Sequence, residues 1–297
     1  MRLSTTTTIL SRACTSSPQE SLFRSIEVCQ KAGFEHLDLD FFLQSREGYP
    51  LALDGWEGWA DRIAEEAARR GLTTLQAHSF VFRTRESTDM TFDRRWHEER
   101  IRRSIRAAAR AGVKWLVLHP CDFDADEHYD FDKARRFNIS YWEPFVSLAQ
   151  RHGVGIAFEN MFMSGRHQRY CSTADELLDL VGAFEGASVG ICWDTGHASI
   201  SGQDQPSSLR KIGSLLKAMH INDNNALPRR DEHLIPYFGK VQWLPILHAL
   251  KDISYDGNFS FELKSATRTL PPGPSEDMLC FLHALGVYML SEAEQFA

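Results

Sequence analysis

Four polar residues close apolar runs in the second half of the chain: Glu159 in GIAFEN, Asp194 in VGICWD, His220 in KAMHIND and Glu262 in FSFEL. Each run is short enough for a buried parallel strand. Three carboxylates and an imidazole gathered by such strands would form a divalent-metal site. Carboxylates beside a metal could also move protons to and from carbon. Further donors stand in comparable places: His78 and His119 after strand-like runs, His197 three residues beyond Asp194, and Asp231 and His233 in a later loop. This inventory of oxygen and imidazole without thiolate suits Mn, Zn, Co or Mg, with Mn the expected ion. A lone histidine after a strand is more often a cap or a satisfied polar residue. Repetition at successive strand ends is what argues for metal.

Between Asp194 and His197 a tight turn can aim both side chains inward, and Gly196 permits the backbone conformation such a turn needs. Cys192 and Trp193 just before it read as packing. Other patterns fail when checked. Asp122, Asp124 and Asp126 begin like a calcium loop, but Glu127 replaces the required glycine and Lys133 the final glutamate. His97, Glu98 and Glu99 begin like a zinc-protease helix that lacks its second histidine. Arg94, Arg95, Arg100, Arg102, Arg103, Arg106 and Arg110 share a segment with glutamates and read as a solvated helix face.

Strand-like and helix-like segments alternate along the whole chain. The strands are expected at Leu3–Thr8, Glu35–Asp40, Leu72–Ala77, Lys114–Leu118, Val154–Phe158, Val189–Trp193, Lys217–Ile221 and Asn258–Leu263. The intervening helices are expected at Pro18–Ala32, Trp56–Arg70, Arg95–Ala111, Asp132–His152, Thr173–Val181, Leu209–Leu216 and Val241–Lys251, with a last one at Ser275–Leu290. Gly33, Gly71, Gly112 and Gly153 each follow a helix, where glycine takes the left-handed cap that turns the chain toward the next strand. Eight such units predict an α/β fold, a (β/α)8 TIM barrel, over residues 1–297 as a single domain. An open doubly wound sheet lacks support, because no GxGxxG follows the first strand. In a barrel all the C-terminal strand ends face one opening, so these distant donors would converge there.

The length of 297 residues suits one such barrel, and a 43% hydrophobic content supplies its core. A net charge of -7 tilts against a dedicated nucleic-acid binder. Six cysteines (Cys14, Cys29, Cys121, Cys171, Cys192 and Cys280) without a CxxC pair read as reduced thiols of a cytoplasmic protein. No apolar stretch reaches the roughly 18 residues of a membrane helix. The start MRLSTTTTILSR reads as the lead into a first strand, and the Pro-rich segment Leu270–Pro274 as a loop.

Together these stretches resemble the sugar phosphate isomerase/epimerase family of xylose isomerase-like barrels, which includes ketose 3-epimerases and is related to endonuclease IV-type enzymes. AFENM, CWDTGH, HINDN, DEHLIPYFGKVQW and FEL carry the resemblance, which covers nearly the whole chain. It implies a metal held by Glu159, Asp194, His220 and Glu262. It also implies that Glu159 and Glu262 act on the two faces of a substrate carbon. His197 would contact sugar oxygens, with His78 and His119 beside it. The endonuclease branch uses three zinc ions, and its ligand set also matches, adding His78, His119, His197, Asp231 and His233 to the four. Two positions depart from typical ketose epimerases: Gly165 stands where a second glutamate occurs, and Ala226 where an arginine occurs, with Arg229 and Arg230 nearby.

The expected activity is therefore a divalent-metal-dependent sugar or keto-sugar isomerase or epimerase. The alternatives are a phosphodiesterase on abasic DNA, or a lyase or dehydratase on a keto-sugar or keto-acid. The expected partner is a small-molecule sugar, with neither membrane nor nucleic acid, and a homo-oligomer is compatible with the sequence.

Overall fold

Eight apolar runs of four to six residues become parallel strands: β1 (Arg2–Thr6), β2 (His36–Asp40), β3 (Thr73–His78), β4 (Trp115–Leu118), β5 (Gly155–Glu159), β6 (Val189–Asp194), β7 (Leu216–Ile221) and β8 (Asn258–Phe261). They pair in chain order and close into a barrel, β1 meeting β8 with Leu3 opposite Phe259. This computed structural model describes residues 1–10, 17–81, 93–121, 129–163, 168–227, 230–264, 266–267 and 269–295. The acidic loop of Asp122, Asp124 and Asp126, together with Cys14, Gly165 and Arg229, lies outside the described residues.

The helices are α1 (Ser21–Lys31), α2 (Phe41–Gln44), α3 (Trp56–Arg69), α4 (Arg94–Arg110), α5 (Phe131–Arg151), α6 (Ala174–Gly182), α7 (Thr195–Ile200), α8 (Gln205–Ile212), α9 (Trp243–Asp252) and α10 (Pro272–Gln295). Gly33, Gly71, Gly112 and Gly153 all have positive φ, as the helix-stop argument requires. Four elements differ from expectation. The helix expected at Leu209–Leu216 is α8, which starts four residues earlier and ends at Ile212, Leu216 already opening β7, and α2 follows β2 where no helix is expected. The segment Leu270–Pro274 is a loop only to Pro271. Pro272, Gly273 and Pro274 belong to the first turn of α10, where a missing N–H breaks no intrahelical bond. The turn expected after Asp194 is the short helix α7, capped by the Asp194 side chain accepting from His197 N at 2.7 Å.

Strand residues alternate between two cores. Leu37, Leu116, Ile156, Phe158, Ile191, Trp193 and Phe259 are buried in the large cluster shared with the helices. Val117, Ala157, Cys192 and Ala218 form a separate small cluster, packed with Trp115 inside the barrel. The lumen needs glycine at its N-terminal end: a Cβ on Gly155 would lie 2.4 Å from the Trp115 ring, and one on Gly190 2.3 Å from Lys217 Cγ.

The arginine run of α4 is largely consumed by pairing. Arg94 and Arg102 hold Glu98, Arg103 holds Glu99 and Arg110 holds Asp61, while Arg100 and Arg103 donate to Leu51 O. No helix among the described residues is long and apolar enough to cross a membrane.

Candidate metal centre

At the C-terminal end of the barrel, β5 delivers Glu159, β6 Asp194 and β7 His220, and Glu262 follows β8 directly. Each is almost fully buried: 1% exposed for Glu159, 0% for Asp194 and His220, 3% for Glu262. One donor atom from each of the four lies within 4.8 Å of the others. His220 Nδ1 is 3.1 Å from Glu159 Oε1 and 3.6 Å from Glu262 Oε2.

The remaining sequence candidates gather around this group. His119 Nε2 is 3.0 Å and His78 Nε2 3.4 Å from Glu159 Oε2. On the other flank, His197 Nε2 lies 3.5 Å and His233 Nε2 2.8 Å from Asp231 Oδ2. His197 Nδ1 lies 2.8 Å from the carbonyl of Asn160, which fixes its ring. All nine donor residues named from the sequence therefore share one opening, joined through Glu159 and Glu262.

Buried polar atoms normally find hydrogen-bond partners. Here Glu159 Oε2 and both ring nitrogens of His220 form no hydrogen bond of good geometry, though each sits among polar atoms. A carboxylate oxygen and imidazole nitrogens brought together with no hydrogen bond to satisfy them fit a divalent cation, and the N/O set is that of Mn, Zn, Co or Mg.

The electrostatics follow from crowding opposite charges out of water. Burial pushes the Glu159 carboxyl up, but the charges of His220 and His119 outweigh it and hold the group well below its ordinary range. Burial likewise opposes the ionisation of Glu262, and the Lys264 ammonium, 2.6 Å from Glu262 Oε1, together with His220 brings it down. Asp194 is raised, chiefly by burial. Burial drives His119 down to about 4. His197, despite its burial, is lifted to about 10 by Asp194 and Asp231.

Several residues that position the site escaped the sequence reading. Asn160 clamps Asp194 from both sides, its Oδ1 accepting from Asp194 N at 2.6 Å and its Nδ2 donating to Asp194 O at 3.0 Å. Asn222 donates to Asp194 Oδ2 at 2.9 Å. A Cβ on Gly196 would fall 1.9 Å from Asn222 Oδ1, so the glycine is there for close approach. Asp223 organises the loop that carries Asp231 and His233. Its buried carboxylate accepts from the backbone N–H of Asn224, Tyr237 and Val241 and from Trp243 Nε1. Its backbone pairs with Leu234 in an isolated antiparallel bridge. His233 has φ 48, a strained value for a non-glycine residue that this scaffold holds in place. The signals were present as the Asn and Asp that follow two candidate ligands, in FEN and HIND.

A family model described as xylose isomerase-like TIM barrel matches residues 26–284. The chain is 27% identical over 139 residues to a D-psicose 3-epimerase of Enterocloster bolteae, covering 46% of this chain and 42% of that one. It is 31% identical over 121 residues to a probable endonuclease 4 of Mesomycoplasma hyopneumoniae, covering 38% of this chain and 41% of that one. Both matches thus span less than half of the relative's own length. Among solved structures, the IOLI protein with a binding zinc atom matches with a TM-score of 0.76 at 20% identity, covering 99% of each chain. At that identity the likeness is one of fold.

Proposed function

The chain belongs to the xylose isomerase-like TIM barrel family, and from that premise we propose that it is a divalent-metal-dependent isomerase or epimerase of a sugar or keto-sugar. One observation carries the reading: two carboxylates from separated strands, Glu159 and Glu262, both face His220 Nδ1, with Asp194 completing the group. The D-psicose 3-epimerase relative supports the choice of sugar chemistry, and the zinc-bearing structural neighbour supports a divalent ion.

Glu159, Asp194, His220 and Glu262 would hold the ion, which supplies Lewis acidity toward a substrate carbonyl and so acidifies the neighbouring C–H. One of the two glutamates takes the proton from carbon as the electron pair shifts toward the carbonyl oxygen. Returning a proton to that carbon from the other glutamate, on the opposite face, inverts the centre. Returning it to the neighbouring carbon, with a proton shift between oxygens, interconverts aldose and ketose. Both carboxylates are held in the anionic form that accepts a proton. His78, His119 and His197 line the same opening and would bind the substrate's hydroxyls.

The test is metal analysis followed by incubation with ketoses and keto-sugars in deuterated water. Tightly held Mn, Zn, Co or Mg with deuterium entering at carbon is the expected result. A metal-loaded protein that exchanges no C–H across such a panel would sink the reading. A lyase or dehydratase on the same site would show itself by loss of a leaving group.

A second reading is favoured by one specific arrangement. His78 and His119 converge on Glu159, and His197 and His233 on Asp231, giving nine donors for more than one ion. That set suits metal-dependent phosphodiester hydrolysis at abasic DNA, in keeping with the endonuclease relative. Three zinc ions per chain and chelator-sensitive cleavage of an abasic duplex would establish it over the isomerase.

A further inference from the structure

We propose that Asp38 is the positioning residue that fixes the ring of His220, and so decides which of its nitrogens is offered to the metal. The inference rests on the metal centre of the preceding reading and not on the reaction assigned to it.

Asp38 is the middle residue of β2 and is fully buried in the barrel lumen. Its Oδ2 accepts from Gln76 Nε2 at 2.7 Å and from Ser260 Oγ at 2.9 Å, and lies 3.4 Å from His220 Nε2. Gln76 Nε2 also donates to Met219 O, one residue before His220, so β2, β3, β7 and β8 meet at this point. The strand residues across the lumen are Val117, Ala157, Cys192 and Ala218. A barrel that needed only packing here would continue that apolar layer.

A buried carboxylate is costly unless it is paired as well as hydrogen-bonded. Gln76 and Ser260 are neutral donors to Oδ2 alone, so they leave its charge unbalanced, and Oδ1 forms no hydrogen bond. The ring nitrogen Nε2 of His220 is the third group facing Oδ2, at 3.4 Å. The two ring nitrogens then divide their duties. A proton held on Nε2 toward Asp38 leaves Nδ1 with a free lone pair, and Nδ1 is the atom that faces Glu159 and Glu262. A carboxylate behind a ligating histidine also raises the ring's basicity and restrains its rotation.

The experiment compares wild type with Asp38→Asn, which keeps the shape and hydrogen-bonding capacity but removes the charge. Zinc affinity is read by chelator competition, and the melting temperature of the metal-free protein is read alongside. The expected result is a weakening of zinc binding by about 10–100-fold, with the metal-free melting temperature little changed. Unchanged zinc affinity in the variant overturns the proposal. Should the variant not fold, nitrogen-15 NMR of the zinc-loaded wild type decides, with His220 assigned by its loss in His220→Asn. A proton on Nε2 and metal on Nδ1 supports the proposal, and the reverse overturns it. A wild type that binds no zinc removes the metal centre and this inference together. Zinc binding without C–H exchange removes only the isomerase reading.

Discussion

The Nε2 atoms of His78 and His119 face each other at 3.1 Å, with Glu159 Oε2 3.0 Å from the second. Neutral imidazole has one donor and one acceptor nitrogen, so this pair can share a single hydrogen and must turn its remaining capacity elsewhere. His78 Nδ1 is taken by the Ser79 carbonyl at 2.8 Å, so in the isomerase reading it is His119 Nδ1 that turns toward a substrate hydroxyl. His119→Ala should therefore raise KM for the sugar by about tenfold, the worth of one good hydrogen bond. Metal affinity should stay within about threefold of wild type, which chelator competition checks. A matching loss of bound metal would instead place His119 among the ligands.

Glu159→Gln and Glu262→Gln remove proton-accepting groups while keeping side-chain size. At saturating metal each should lower the rate of deuterium incorporation at carbon by about 10²–10⁴-fold. Exchange followed by proton NMR is the check. If both variants keep the wild-type rate, the two glutamates do not carry the proton.

Gly155→Ala should strain the barrel away from the candidate metal centre, because the added Cβ meets the Trp115 ring at 2.4 Å. Trp115 begins β4, at the end of the lumen remote from Glu159. Overpacking of this kind costs about 1–3 kcal/mol, read from urea unfolding. Metal affinity of the folded variant should be unchanged, which separates barrel stability from the site.

Acid stability should depend on Glu66. Hydrogen bonds from Arg69 and Arg70 hold its carboxyl down to about 2. A folded-state value below the unfolded one, about 4.3, means that the stabilisation is present above that unfolded value. It is lost as pH falls from there toward 2. Glu66→Gln should flatten the stability–pH curve in that window and change the melting temperature at neutral pH by under about 3 °C, since solvent-screened surface pairs contribute little. Thermal melts between pH 2 and 7 test this.

The barrel was legible because its signals are local. Each strand is a short apolar run, and four helices stop at a glycine with positive φ. The donors were legible because they close those runs. Residues whose roles depend on neighbours in space were not. Asp38 in EHLDLD reads as one polar residue in an alternating strand, until Gln76, Ser260 and His220 arrive from three other strands. Lys264 follows Glu262 by two residues, and only the folded backbone turns its ammonium onto that carboxylate. The helix α7 was missed because six residues are too few for an apolar period to show, and its start is a cap made by a site residue.

The carboxylate of Asp223 gathers N–H groups from both ends of the loop between β7 and α9. The stretch from Asn225 to Pro236 is thus pinned at its base by contacts that do not depend on what lies at its tip. Such a stretch behaves as an exchangeable cassette. Doubling the length of a flexible loop adds only about 0.6 kcal/mol of closure entropy, so insertions here are cheap for the barrel. Glu159, Asp194 and His220 on their strands, and Glu262 directly after β8, stay behind when the cassette changes, while Asp231 and His233 travel with it. A scaffold divided in this way can alter what it recognises while leaving intact the centre that acts.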